Sequence, residues 1–149
     1  MLWWILAGAG LIVIMALSAY AGTLLRRVKE QEIALAKAVT KRNNTLMDSI
    51  TLIAKAMVQG QCNLSEGAIR LTVLLGELKL AEPIDFDAQY PNLAKLYQVV
   101  KNMPTHEVRK ERSKKEIRQL DETREKSEKQ LEAGIIEEMK RLQDWQLPS

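Results

Sequence analysis

The chain has few of the residues that build reactive or cross-linked sites. Among its 149 residues there is one cysteine, Cys62, and one histidine, His106. A single cysteine excludes an intramolecular disulfide and a cysteine-based zinc site within one chain. Placed beside a turn, Cys62 reads as a small apolar residue rather than a nucleophile. Aromatics are scarce too, seven in all with one phenylalanine, so any soluble core has to be aliphatic, which favours packed helices. No proline occurs before Pro83, and from Arg26 to Gln59 there is neither proline nor glycine. The last scarcity is local: no charged side chain occurs between Leu2 and Leu25.

That uncharged run, LWWILAGAGLIVIMALSAYAGTLL, organises the rest. At roughly 1.5 Å of rise per residue it spans about 36 Å as a helix, more than the ~30 Å hydrocarbon core of a bilayer. The expectation is a transmembrane helix over residues 1–25. A cleaved secretory signal competes with it, since Ala19-Tyr20-Ala21 offers a small-x-small site. However, no Lys or Arg precedes the run, which also exceeds the about 7–15 apolar residues of a signal peptide, so retention is expected. Arg26, Arg27 and Lys29 follow it directly, and by the positive-inside rule they place the bulk of the chain in the cytoplasm and the N-terminus outside. Trp3 and Trp4 fit an aromatic anchor at the outer interface. Ser18 and Gly22 make one small-xxx-small spacing at which two spans could pack.

The formal net charge of +3 hides an asymmetry. Residues 1–60 carry seven basic and three acidic residues, whereas residues 106–149 carry eleven of each. Excess positive charge beside the span suits orientation and anionic lipid head groups, at about 1 kcal/mol per near-surface basic residue. Nucleic-acid binding is not expected, because no basic face with aromatic or helix-turn-helix support is present.

Beyond the span, Val28, Leu35, Val39, Leu46, Ile50, Ile53 and Met57 recur at spacings of three, four and seven, interrupted by Asn43. This predicts a stalk helix over residues 26–60 continuing from the membrane. Its stripe must be buried, by an intrachain partner helix or by a parallel coiled coil between two copies. Gly60 ends the helix, and Asn63 with Glu66 three residues on opens a second, running to about Lys79 or Leu80. That helix is apolar over more than half its circumference and is predicted to centre the core. Residues 81–90 read as a connecting loop with Phe86 against the core. Asp85 and Asp87 resemble the start of a calcium loop but lack its glycine and closing glutamate. Pro91 opens a short third helix stopping at Met103-Pro104, which completes a core segment of residues 61–103. Residues 104–149 read as one long charged helix from Pro104 or Thr105 to about Trp145, with Gly134 as its weak point. Its favourable acid-to-base spacings include Glu122–Lys126, Glu125–Lys129 and Glu137–Arg141. Packed antiparallel to the stalk, it would bring Trp145 back to the membrane interface.

The stretches Gln61-Cys62, Ser65-Glu66-Gly67-Ala68-Ile69-Arg70-Leu71 and Met103-Pro104-Thr105-His106, with one N-terminal span and a charged C-terminal helix, carry a resemblance. The chain resembles domain-of-unknown-function family 2489, small single-pass bacterial membrane proteins. The resemblance implies an inner-membrane location and an all-α architecture: a transmembrane helix continuing into a stalk, plus a cytoplasmic helical bundle. It implies no activity.

No catalytic, cofactor-binding or metal-binding motif is recognised, and no enzyme activity is expected. The expected work is binding, as a cytoplasm-facing adaptor or scaffold acting through helix–helix contacts, with the lipid bilayer and either a protein partner or a second copy as partners. Candidate interaction residues are Glu66, Arg70, Tyr90, Tyr97 and His106. Glu66 and Arg70 lie four apart and read as an ion pair, or Arg70 faces a polar groove with Tyr90, Tyr97 or His106. The second option is the basis of an alternative function, a membrane-tethered small-ligand sensor or enzyme with a pocket near Arg70 and His106.

Overall fold

The computed structural model describes residues 1–104 and 112–148, and they are all-α. In order, the helices are α1 (Leu2–Val58), α2 (Leu64–Gly76), the single turn α3 (Phe86–Gln89), α4 (Pro91–Val100) and α5 (Lys114–Asp144). The chain divides into two compact units, Met1–Lys41 and a second that begins at Arg42.

The first unit is helix from Leu2 onward. Every described side chain up to Ala38 is exposed, including Val28, Ile33 and Leu35 of the stalk. The hydroxyls of Thr23 and Thr40 donate back to the carbonyls of Tyr20 (2.7 Å) and Ala36 (3.0 Å), so neither needs an outside partner.

The second unit has one aliphatic core. Met47, Ile50, Ala54 and Met57 from the last turns of α1 meet Ala68, Leu71 and Leu75 of α2, Leu93, Leu96 and Val100 of α4, and Ile135, Met139 and Leu142 of α5. Each large aliphatic side chain buried this completely contributes about 1.5–3 kcal/mol. The long N-terminal helix and the C-terminal helix thus share a core through the final turns of each.

Local signals explain the boundaries. α1 ends in a Schellman arrangement: Gly60 has φ +68, its N–H donates to the Met57 carbonyl (3.1 Å), and the Gln61 N–H reaches the Ala56 carbonyl (2.8 Å). Asn63 Oδ1 caps α2 by accepting from the N–H groups of Ser65 (2.9 Å) and Glu66 (3.4 Å). α2 stops at Gly76 rather than near Lys79, because the Lys79 backbone is engaged elsewhere. Asn43 Oδ1 accepts from its N–H at 3.1 Å and Asn43 Nδ2 donates to its carbonyl at 2.8 Å. The asparagine that interrupts the α1 stripe is therefore buried, at 7% exposure, as a docking point for the chain leaving α2.

Two further boundaries differ from the sequence reading. The expected loop contains α3, capped by Asp85 Oδ1 accepting from the Ala88 N–H at 3.1 Å. The last helix starts at Lys114, not at Pro104 or Thr105. Ser113 and Glu116 form a capping box there, with the Glu116 N–H donating to Ser113 Oγ (3.3 Å) and the Ser113 N–H donating to Glu116 Oε2 (3.1 Å).

Candidate interaction surface

Two neighbourhoods in the second unit gather the polar side chains. The first is a groove of about 650 Å³ between α2, the end of α4 and the first half of α5. Its walls are largely apolar, from Ile69 on α2, Val100 and Met103 after the α4 face, and Ile117 and Leu120 on α5. Arg70 and Glu66 form one rim and pair with each other at 2.6 Å, both more than half exposed. Asp121 and Arg124 form the other, 3.6 Å apart. Arg124 Nε also lies 3.9 Å from Glu128 Oε1, and the Ser65 hydroxyl donates to that same oxygen. The rim charges are thus already matched in pairs. What the groove offers a visitor is apolar wall; the Arg124 Nε–H is itself buried, with no hydrogen-bond acceptor among the described residues.

The sequence places α2 at the centre of the core, and α2 does enter the core, by one face. Ala68, Leu71 and Leu75 are buried, but Ile69 and Val73, one turn apart on the other face, are 40% and 54% exposed. Ile69 leads that face into the groove.

The second neighbourhood joins α4 to α5. Tyr90, at the N-cap of α4, supplies no side-chain cap. Glu138 of α5 supplies it instead: its Oε1 accepts from the Asn92 N–H (2.8 Å) and from Asn92 Nδ2 (2.7 Å), and its Oε2 accepts from the Leu93 N–H (2.9 Å). A carboxylate only 2% exposed is tolerable here because it faces the positive end of a helix with its lone pairs filled. Tyr90 is 4% exposed and lies beneath the Arg141 guanidinium, 5.9 Å from its ring centre. Burial raises the Tyr90 phenol above its usual range, Arg141 pulls the other way, and the Glu138 carboxylate adds to the rise. Glu137 points outward and pairs with Lys140 at 2.7 Å, which lowers its carboxyl below the usual range. The spacing in the sequence favoured Arg141 for that pair, but Arg141 is turned to Tyr90.

The four candidate interaction residues among those described do not converge on one site. Glu66 and Arg70 meet at the groove, Tyr90 belongs to the α4–α5 joint, and Tyr97 is half-buried on α4. His106 lies outside the described residues. Trp3, Trp4, Arg26, Arg27 and Lys29 are all exposed on α1. Trp145 is half-buried and meets Phe86 edge to face at 5.7 Å, so its ring has a partner within the folded unit. The sequence reading missed Glu138, Asn92 and Arg124. Glu138 carried a usable signal, an acid at the apolar positions of Ile135, Met139 and Leu142.

Comparison with known proteins leaves the activity open and fixes the kinship. A family model described as "Protein of unknown function (DUF2489)" matches residues 14–142. An "Uncharacterized protein" of Haemophilus influenzae is 42% identical over 137 residues, covering 91% of this chain and 90% of that protein. No solved structure matches. On the strength of the family match and of this relative, the chain belongs to the DUF2489 family.

Proposed function

We propose that this protein is a single-pass inner-membrane adaptor or scaffold. Its N-terminus faces outward, and the folded unit from Arg42 onward works in the cytoplasm through contacts between helices. The observation that carries the reading is the state of residues 2–25: one unbroken helix, long and apolar enough to cross a membrane, with side chains such as Leu6, Ile12 and Leu17 more than 60% exposed. Such a surface is tolerated in lipid and not in water. Arg26, Arg27 and Lys29 supply the orientation, with Trp3 and Trp4 as outer anchors.

A binding role is supported by the groove between α2 and α5 and by the Ile69/Val73 face beside it, both apolar with their neighbouring charges paired. An apolar helix from a partner would bury its side chains there in the helix-in-groove manner. Gentle detergent extraction should bring down one partner in fixed stoichiometry, and Ile69→Glu with Val73→Glu should release it. A partner retained by that double variant would move the docking surface elsewhere.

The groove volume also sustains a second reading, a membrane-tethered small-ligand sensor or enzyme using the pocket beside Arg70, with His106 as a further candidate. A ligand held there would raise the melting temperature of the wild type, and not of Arg124→Ala with Arg70→Ala.

A further inference from the structure

The exposed stalk carries a pattern that the folded unit does not use. Counted in sevens from the middle of the apolar run, Leu17, Leu24, Gln31 and Ala38 share one heptad position, and Val28 and Leu35 occupy the other position of the same seam. Leu17, Leu24, Val28 and Leu35 are 62%, 44%, 51% and 66% exposed. The stripe crosses from the uncharged run into the charged stalk without changing register. It ends where burial within the chain begins: Val39 is half-buried, Arg42 pairs with Glu77, and Asn43 is buried. A seam of this period is the signature of helices that pair with a left-handed supercoil.

We propose that α1 pairs in parallel with α1 of a second copy of this chain along that seam, with Arg27 of each copy facing Glu32 of the other. Charge complementarity selects this occupant. With Val28 and Leu35 at the first apolar position of the heptad, Arg27 and Glu32 fall on its two flanking positions, five residues apart. That is the separation at which side chains of two parallel helices in register meet across a seam. Their signs are opposite, so a second copy presents two matched pairs, and no other sequence is needed to supply them. An antiparallel neighbour would not bring residue 27 opposite residue 32. Gln31, polar at an otherwise apolar position, penalises shifted registers. The proposal deepens the scaffold reading and rests on the membrane span for its parallel sense, because two copies inserted in one orientation share a direction.

The test uses the full chain in native membranes with Cys62→Ala, one new cysteine at a time, and mild oxidation. Disulfides need close approach of the two side chains, so Val28→Cys and Leu35→Cys should form dimers about tenfold faster than Lys29→Cys and Ile33→Cys on other faces. Adding Arg27→Glu or Glu32→Arg alone should slow crosslinking at Leu35→Cys, and combining the two should restore it. Equal rates around the helix, or a double swap that fails to restore them, would overturn the pairing. So would Ser18→Cys and Gly22→Cys outrunning Leu17→Cys and Leu24→Cys, since that marks a different crossing. Sedimentation with membranes is scored in parallel: a membrane-bound chain that crosslinks evenly loses the pairing alone, whereas a soluble chain loses the span and the parallel sense with it.

Discussion

Gly134 of α5 lies directly against Asn92 of α4: a Cβ built on Gly134 would sit 2.6 Å from Asn92 Nδ2, the nitrogen that donates to Glu138 at 2.7 Å. The glycine that looks like the flaw in a long helix is what lets α4 and α5 approach closely enough for Glu138 to cap α4. Gly134→Ala gains about 1 kcal/mol of helix propensity and displaces the half-buried Asn92 amide from Glu138, which costs about 1–3 kcal/mol. The net expectation is destabilisation. In an Asn92→Ala background the clash is gone, so the same Gly134→Ala change should stabilise. Denaturation of the detergent-solubilised chain, followed by circular dichroism, reads the change of sign.

Glu138→Gln keeps the shape and removes the anionic acceptor. The new amide nitrogen must face a backbone N–H of α4 or the Asn92 amide, so one donor is left unsatisfied. The expected cost is about 1–3 kcal/mol, with Glu138→Ala costing more because it uncaps α4 altogether. Hydrogen exchange should quicken first at Asn92 and Leu93. Unchanged exchange at those two amides would contradict the assigned cap.

Asn43→Ala leaves the Lys79 N–H and carbonyl without their partner. A loss of about 1–3 kcal/mol is expected, together with faster exchange from Glu77 to Leu80 while the amides of α4 keep their relative protection. Uniform loss across the second unit would mean that Asn43 serves packing rather than this contact.

Tyr90 gives the second unit an alkaline dependence. Its folded-state pKa is raised, first by burial and further by Glu138, against the opposing Arg141. Below the unfolded value of about 10 both states hold the proton and stability is unaffected. Above it the unfolded chain releases the proton while the folded chain keeps it, so stability falls as pH rises toward the folded pKa. Tyr90→Phe should remove that part of the decline, and unfolding curves of the two proteins at pH 9 and pH 11 measure the difference.

Periodicity and turn chemistry made most of the helices legible in the sequence. Gly60 and Asn63 mark their boundaries through their own backbone preferences, and the stripe from Ile50 to Met57 is set by burial. What stayed hidden was set by contacts between distant residues. α2 ends early because Asn43, 36 residues earlier in the chain, binds Lys79. Glu138 looks like one more solvated acid until α4 is brought against it, 46 residues from Asn92. The Ser113–Glu116 capping box starts the last helix at Lys114, where the sequence reading placed its start at Pro104 or Thr105. The interaction residues were the least legible. Spacing pairs Glu66 with Arg70, and only the fold shows that Tyr90 belongs to a different neighbourhood from Arg70.

The proposed adaptor role requires residues 2–25 to lie in lipid with the second unit on the inner side. Protease digestion of intact spheroplasts, with a tag at the C-terminus and membranes washed in alkaline carbonate, measures both at once. The chain is expected to stay with the washed membranes and the tag to be protected until the inner membrane is opened. A tag digested from outside would place the second unit on the outer side, and a chain released by the wash would remove the membrane span.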